Sequence, residues 1–368
     1  MTINKSSEDF SRVSTFSGII FDCDGVLIDS TRSYDRALVI CFRSFSSLLG
    51  YDFDDGEFMN VVSQIRKLGG FNNDWDTLSV MVAYLYSKVR DTRLLDNLAQ
   101  ISPLKERLKI FEEMFFQTKN ESKKRISLAD LITVISGLQE GTNRDQLTQA
   151  ILLDADLVNN VRKAMSYPKP VGEGFLSTLF DEVVYGKQVF REMYGFDCSM
   201  TVMSNPGLIL EEKKMITEEA LVSFFSACEG NLGIITGRPR VPTLFTLGDT
   251  FKKWFTKPEI CFFTGDYILD AEEVKPSPKP MFKVARSLDS DGPILYVGDS
   301  GEDLLMAKNA NKSGLLQKKV YFAAIASSEE KTTYFESEGS YVDCIVSNVN
   351  ELGSLLEQNA SQSTKIGI

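Results

Sequence analysis

Short apolar runs of strand length recur along this chain, and each breaks off at an acid, a hydroxyl or a glycine. Residues 16–20 precede Phe21-Asp22-Cys23-Asp24-Gly25, residues 232–235 precede Thr236-Gly237, and residues 293–297 precede Gly298-Asp299. Runs of this kind suit strands buried on both faces, and the polar break marks where each strand reaches solvent. Further strands are expected near Glu259 and Val320, with a last short one over 343–346. Their alternation with helical segments predicts an α/β fold with a Rossmann-like, doubly wound parallel sheet. In such a sheet, functional residues gather at the carboxyl ends of the strands.

The first polar break and the second are separated by far more chain than a strand–helix–strand crossover needs. The pattern therefore predicts a discontinuous core, residues 16–30 and 216–357, with a mainly helical domain inserted over 31–215. Helical spacing is read over 34–49, 76–89, 94–100, 103–116, 127–138, 144–165 and 176–194, and a helix over 209–225 is expected to lead back into the core. The charge-rich 118–125 and Pro168-Lys169-Pro170 read as connectors. Residues 1–15 and 358–368 are expected to be loose tails.

Chemistry enters with Asp22 and Asp24. On a strand, residues i and i+2 face the same way, so the two carboxylates are expected to converge and repel. A divalent cation relieves that crowding, and an all-oxygen donor set favours Mg²⁺. Asp22 then reads as nucleophile and metal ligand, and Asp24 as general acid and base. Gly25 permits a sharp turn and close approach of the backbone to an anion. An acidic turn at a strand end is the plain alternative.

Three later segments bear on that choice. Thr236, with Gly237 after it, either holds phosphate oxygens or caps a helix. Lys275, in Lys275-Pro276-Ser277-Pro278, is either a cation for a transferred phosphoryl group or a solvated loop lysine. Ser277 and Pro278 are expected to open the helix that follows. Asp299 closes an apolar strand and can complete a metal site, with Asp303 or Glu302 in support. Capping of the next helix accounts for Asp303 as well, and for Asp299 poorly.

With these residues in order, the chain resembles the haloacid dehalogenase (HAD) superfamily of phosphohydrolases, in particular its phosphoglycolate-phosphatase-like group with an enlarged class I cap. Motif I matches Asp22-Cys23-Asp24-Gly25-Val26-Leu27, motif II Thr236, motif III Lys275, and motif IV Gly298-Asp299-Ser300-Gly301-Glu302-Asp303. The resemblance covers the core and only loosely the long insertion. It implies an aspartyl-phosphate intermediate, with Asp22 attacking phosphorus and Asp24 protonating the leaving oxygen and then activating water. It also implies that Thr236 and Lys275 hold the phosphoryl group. Mg²⁺ would bind the Asp22 carboxylate, the Asp24 main-chain carbonyl and Asp299, with Asp303 in support. The expected activity is hydrolysis of a small phosphorylated metabolite. A phosphomutase is the nearest rival, and a non-catalytic regulatory protein a more distant one.

Composition narrows the field. The chain has no histidine, which removes Ser-His-Asp triads and histidine-bound metals. Its six cysteines form no CxxC pair, which suits reduced thiols in the cytoplasm. Cys23, between the two acids, is expected to turn into the core. A formal net charge of −11 disfavours nucleic acid and anionic membranes as partners. Substrate choice is expected to lie in the insertion, where Arg66, Lys67 and Asn73 flank Gly69-Gly70. The plain alternative there is a helix end followed by an asparagine cap.

Overall fold

The computed structural model describes residues 5–68, 71, 73–89, 93–139, 141–267, 273–288 and 290–366, with side chains described as far as Asn359. Contacts divide the chain into two compact units, Met1–Ser30 with Glu212–Ile368, and Thr31–Glu211.

The first unit is built on one seven-stranded sheet. Its strands are β1 (Lys5–Ser6), β2 (Gly18–Phe21), β3 (Leu232–Thr236), β4 (Cys261–Phe263), β5 (Ile294–Gly298), β6 (Val320–Ile325) and β7 (Cys344–Val346), in the spatial order β1-β7-β6-β5-β2-β3-β4. Six strands are parallel, and β1 pairs antiparallel with β7 at the edge. The result is an α/β architecture compatible with a Rossmann-like fold. From β2 the chain runs outward through β3 to β4, then crosses back to β5 on the other side of β2. That reversal opens a crevice at the carboxyl ends of β2 and β5.

Period-two alternation divides each strand between two apolar layers. Ile19, Phe21, Ile234, Leu295 and Val297 pack into one, and Ile20, Ile235, Ile294 and Tyr296 into the other. Residues buried on both faces explain why the strands read as continuous apolar runs. Each fully buried phenylalanine or isoleucine contributes about 2 kcal/mol.

Three boundary expectations fail here, the third being the loose tail over 358–368, which is helical as far as Ile366. Residues 5–15 are not a loose tail: Phe10, on the short helix Glu8–Ser11, is fully buried, with its ring 5.9 Å from that of Tyr321. Phe10 and Val13 among polar neighbours leave no periodicity to read, yet together with the β1–β7 pairing they dock the segment. The return to the core is also not a single helix over 209–225. A 3₁₀ turn (Leu208–Glu211) and a strand (Lys213–Lys214, antiparallel to Ile28–Asp29) precede the helix Glu218–Ala227. Thr217 sets that start, its hydroxyl oxygen accepting from Ala220 N at 3.2 Å. Past 357 the chain continues as the helix Val349–Ile366.

The second unit, Thr31–Glu211, is almost wholly helical. Its core is aromatic: Phe45, Phe111 and Phe175 pack mutually, as do Phe42, Phe53 and Phe58. The helix Asp55–Lys67 is missing from the periodicity reading, although Phe58, Val61, Val62 and Ile65 are its buried stripe. The segment 144–165 is two helices, Arg144–Leu152 and Ala155–Met165. Leu153 turns left-handed (φ 55°), and Asp154 caps the second through Asp156 N and Leu157 N.

Three buried carboxylates tie this unit together. Glu112 accepts from Thr201 N, Thr201 Oγ1, Val202 N and Met203 N, at 2.7 to 3.1 Å. Glu182 accepts from Ser199 N and Met200 N, and Asp181 from Trp75 Nε1 and Tyr194 Oη. No helix among the described residues is long and apolar enough to cross a membrane.

Candidate active site

The crevice at the ends of β2 and β5 holds most of the chemistry. Asp22 follows β2, and its backbone N donates to Val297 O of β5 at 2.8 Å. Asp299 follows β5. Asp303 lies in the first turn of the helix Gly301–Lys312, where it forms a capping box with Ser300. Carboxylate oxygens of Asp22, Asp299 and Asp303 all lie within 4.8 Å of one another.

Lys275 enters this triad from the loop before the helix Lys279–Arg286. Its Nζ is 2.8 Å from Asp22 Oδ1 and 2.6 Å from Asp303 Oδ1. The lysine is buried, so the solvated-loop alternative is excluded. Helix Lys279–Arg286 itself begins one residue later than expected, and the Ser277 hydroxyl accepts from Lys279 N at 3.3 Å. Asp303 has further donors: Tyr296 Oη at 2.6 Å and Ser300 Oγ at 2.7 Å. Lys331, on the helix Glu329–Ser337, pairs with Asp299.

Three carboxylates thus face two lysines in a nearly dry site. Burial pushes Asp22 far above the usual carboxylate range; Lys275 opposes that shift, while Asp303 and Asp299 add to it. Asp299 is likewise raised, chiefly by burial. Burial also acts most strongly on Asp303, yet Lys275, Tyr296 and Ser300 together outweigh it and hold this carboxyl low. Lys275 stays firmly protonated, since its two carboxylates overcome the burial that would discharge it. A cation among these oxygens would lower the cost of ionising Asp22 and Asp299. An all-carboxylate donor set suits a hard divalent ion, and no nitrogen or sulfur ligand stands among the three.

Asp24 does not join this group of carboxylates. The chain leaves extended geometry immediately after Asp22, because Cys23 O accepts from Leu27 N and Ile28 N, both at 2.8 Å. The period-two rule therefore stops applying one residue too early, and Asp22 crowds against Asp299 and Asp303 instead. Asp24 pairs through Oδ1 with Arg238 Nη1 at 3.0 Å. Arg238 in turn binds Glu212. Cys23 lies fully buried in the core layer with Phe21 and Ile234.

Gly25 has φ +74°, and a Cβ built there would lie 2.1 Å from Asp299 Oδ2. A side chain is excluded by both conformation and space. Its N–H donates to Ile28 O at 2.8 Å, so the glycine serves close approach to Asp299, and its own amide is already engaged. Thr236 ends β3 and is buried; its hydroxyl oxygen accepts from Arg238 N at 3.2 Å. It does not cap the next helix, Arg240–Leu247, which begins after Pro239. Gly237 has open space where a Cβ would stand.

Arg66 and Lys67 lie in the last turn of Asp55–Lys67, and Gly69, Gly70 and Asn72 fall outside the described residues. Arg66 joins Asp35 (2.8 Å) and Asp74 (3.0 Å). Asn73 caps the helix Asp74–Lys88, its Oδ1 accepting from Asp76 N at 2.8 Å. The Asn73 cap is the one part of the plain alternative that falls on described residues, and Arg66 is held in ion pairs that neither expectation named.

Four residues at or beside the site are absent from the sequence reading. Arg238 could have been suspected, standing next to Gly237, and Tyr296 lies two residues before Gly298 on one strand face. Glu212 and Lys331 carry no local signal. Comparison of the chain with protein-family models, curated proteins and solved structures returns no match.

Proposed function

We propose that this protein is a Mg²⁺-dependent phosphatase of the HAD type, hydrolysing a small phosphorylated metabolite, with the helical unit as its cap. The observation that carries this reading is the position of Lys275 Nζ, held between Asp22 and Asp303 while Asp299 stands within metal-ligand range of both. Phosphoryl transfer depends mostly on positioning and charge stabilisation, and Asp22 and Asp299 sit at the ends of buried strands.

Asp22, Asp299 and the Asp24 carbonyl would hold the metal, which when bound supplies positive charge beside the transferred phosphoryl oxygens. Asp22 attacks phosphorus; the ester P–O bond breaks, and the leaving oxygen takes a proton from Asp24. Water then attacks the aspartyl phosphate at phosphorus and passes a proton to Asp24. Inorganic phosphate leaves, and the Asp22 carboxylate is restored. Lys275 keeps Asp22 aimed and offsets charge on the phosphoryl group. Six free cysteines accord with a reducing, cytoplasmic setting.

The test is a panel of phosphate monoesters assayed for free phosphate with Mg²⁺ and again with a chelator. Release that depends on Mg²⁺ supports the reading. Isomerised sugar phosphate with little free phosphate would favour a mutase, and no turnover of any ester would reject the enzyme.

A further inference from the structure

Building on the phosphatase reading, we infer that Arg238 is a positioning residue for Asp24, itself fixed by Glu212. The side chains of Arg238 and Glu212 are wholly buried, whereas that of Asp24 is 38% exposed. Glu212 receives Arg238 Nη2 and the Thr246 hydroxyl, both at 2.5 Å. Nη2 also lies 3.3 Å from Thr246 Oγ1 and 3.5 Å from Pro242 O. One arm of the planar guanidinium is thereby locked into the interior. The other arm, Nη1, presents its N–H to Asp24 Oδ1 at 3.0 Å.

Charge balance alone does not call for this third contact. Arg238 and Glu212 already form a neutral buried pair, and Asp24 brings a second carboxylate to it. The contact does restrain Asp24 Oδ1 against a buried, fixed donor. It also distinguishes the oxygens: Oδ1 accepts the guanidinium N–H, and Oδ2 is the oxygen left to meet the leaving group. Misplacing such an acid by about 1 Å is enough to lose on the order of 10²-fold in rate. Glu212 lies at the first residue of the chain's return to the core unit and Arg238 two residues past β3, so three distant stretches set one carboxyl group.

The experiment compares kcat/KM for an alkyl phosphate, whose leaving oxygen needs a proton, with that for 2,4-dinitrophenyl phosphate, whose leaving group departs without one. Arg238→Gln removes the cation that neutralises the buried Glu212 carboxylate, so Arg238→Gln/Glu212→Gln is measured beside it to keep a neutral interior. Both are expected to lose roughly 10- to 100-fold on the alkyl ester and less than about threefold on the aryl ester. Adding Asp24→Asn should then cost the alkyl ester no more than Asp24→Asn alone. Equal losses on both esters, or additive losses with Asp24→Asn, would overturn the positioning role while leaving the phosphatase reading intact. Absence of wild-type turnover on either ester would remove both.

Discussion

Buried carboxylates in the two units are treated in opposite ways. In the helical unit, Glu112, Glu182 and Asp181 are each held by N–H or O–H donors. In the core unit, Asp22, Asp299 and Asp303 face one another, with two lysines among them. A buried carboxylate saturated by donors holds a fold together. A group of carboxylates with more negative charge than local cations balance is held there by the surrounding structure at the expense of stability, and is suited to binding a cation.

That contrast is open to direct attack. The largest effect is expected from Asp22→Asn, which deletes the proposed nucleophile at nearly constant volume. Turnover should fall by about 10⁴-fold or more, while the midpoint of thermal unfolding stays level or rises, because a carboxyl group that is buried and costly to ionise is replaced by a neutral amide. A large fall in the midpoint would place Asp22 with the structural carboxylates.

Glu112→Ala should do the reverse. Four donors from residues 201–203 lose their acceptor, which costs on the order of 3 kcal/mol in a urea titration. A loss below about 1 kcal/mol would show that Glu112 is not a structural tie.

Metal binding gives a third, smaller contrast, read from pH. Asp22 ionises in the folded chain only well above its ordinary value, and a ligand must be ionised to bind. Mg²⁺ should therefore raise the unfolding midpoint more at pH 8 than at pH 5.5. Equal shifts at both would argue against Asp22 as a ligand.

The smallest effect concerns Asp181, pushed up to about 7 by burial, against the pull of the Tyr194 and Trp75 donors. Between its ordinary value and about 7, the folded chain holds a proton that the unfolded chain has lost. Stability must therefore fall as pH rises through that window. Asp181→Asn should flatten this slope in denaturant titrations at pH 5 and pH 7.5, and an unchanged slope would assign it elsewhere.

The sheet strands are legible in the sequence because burial on both faces leaves continuous apolar runs. The acids Asp22 and Asp299 stand out because each ends such a run. Local reading failed where a residue's partner is remote or a single contact decides. Phe10 docks a polar segment, Glu212 meets Arg238, and Lys331 reaches Asp299, with nothing in the flanking residues to announce it. The Asp22–Asp24 spacing misled because a tight turn at Cys23 ends the strand geometry that spacing assumes.

By itself, the order of residues determined where strands end, which residues close them, and that no histidine chemistry is available. These follow from burial and composition, which are written locally. Only the tertiary structure decided that Asp22 crowds against Asp299 and Asp303, that Lys275 lies between two of them, and that Asp24 turns to Arg238. Those pairings join segments from 28 to more than 200 residues apart, and they depend on strand order and loop geometry, which no local pattern encodes.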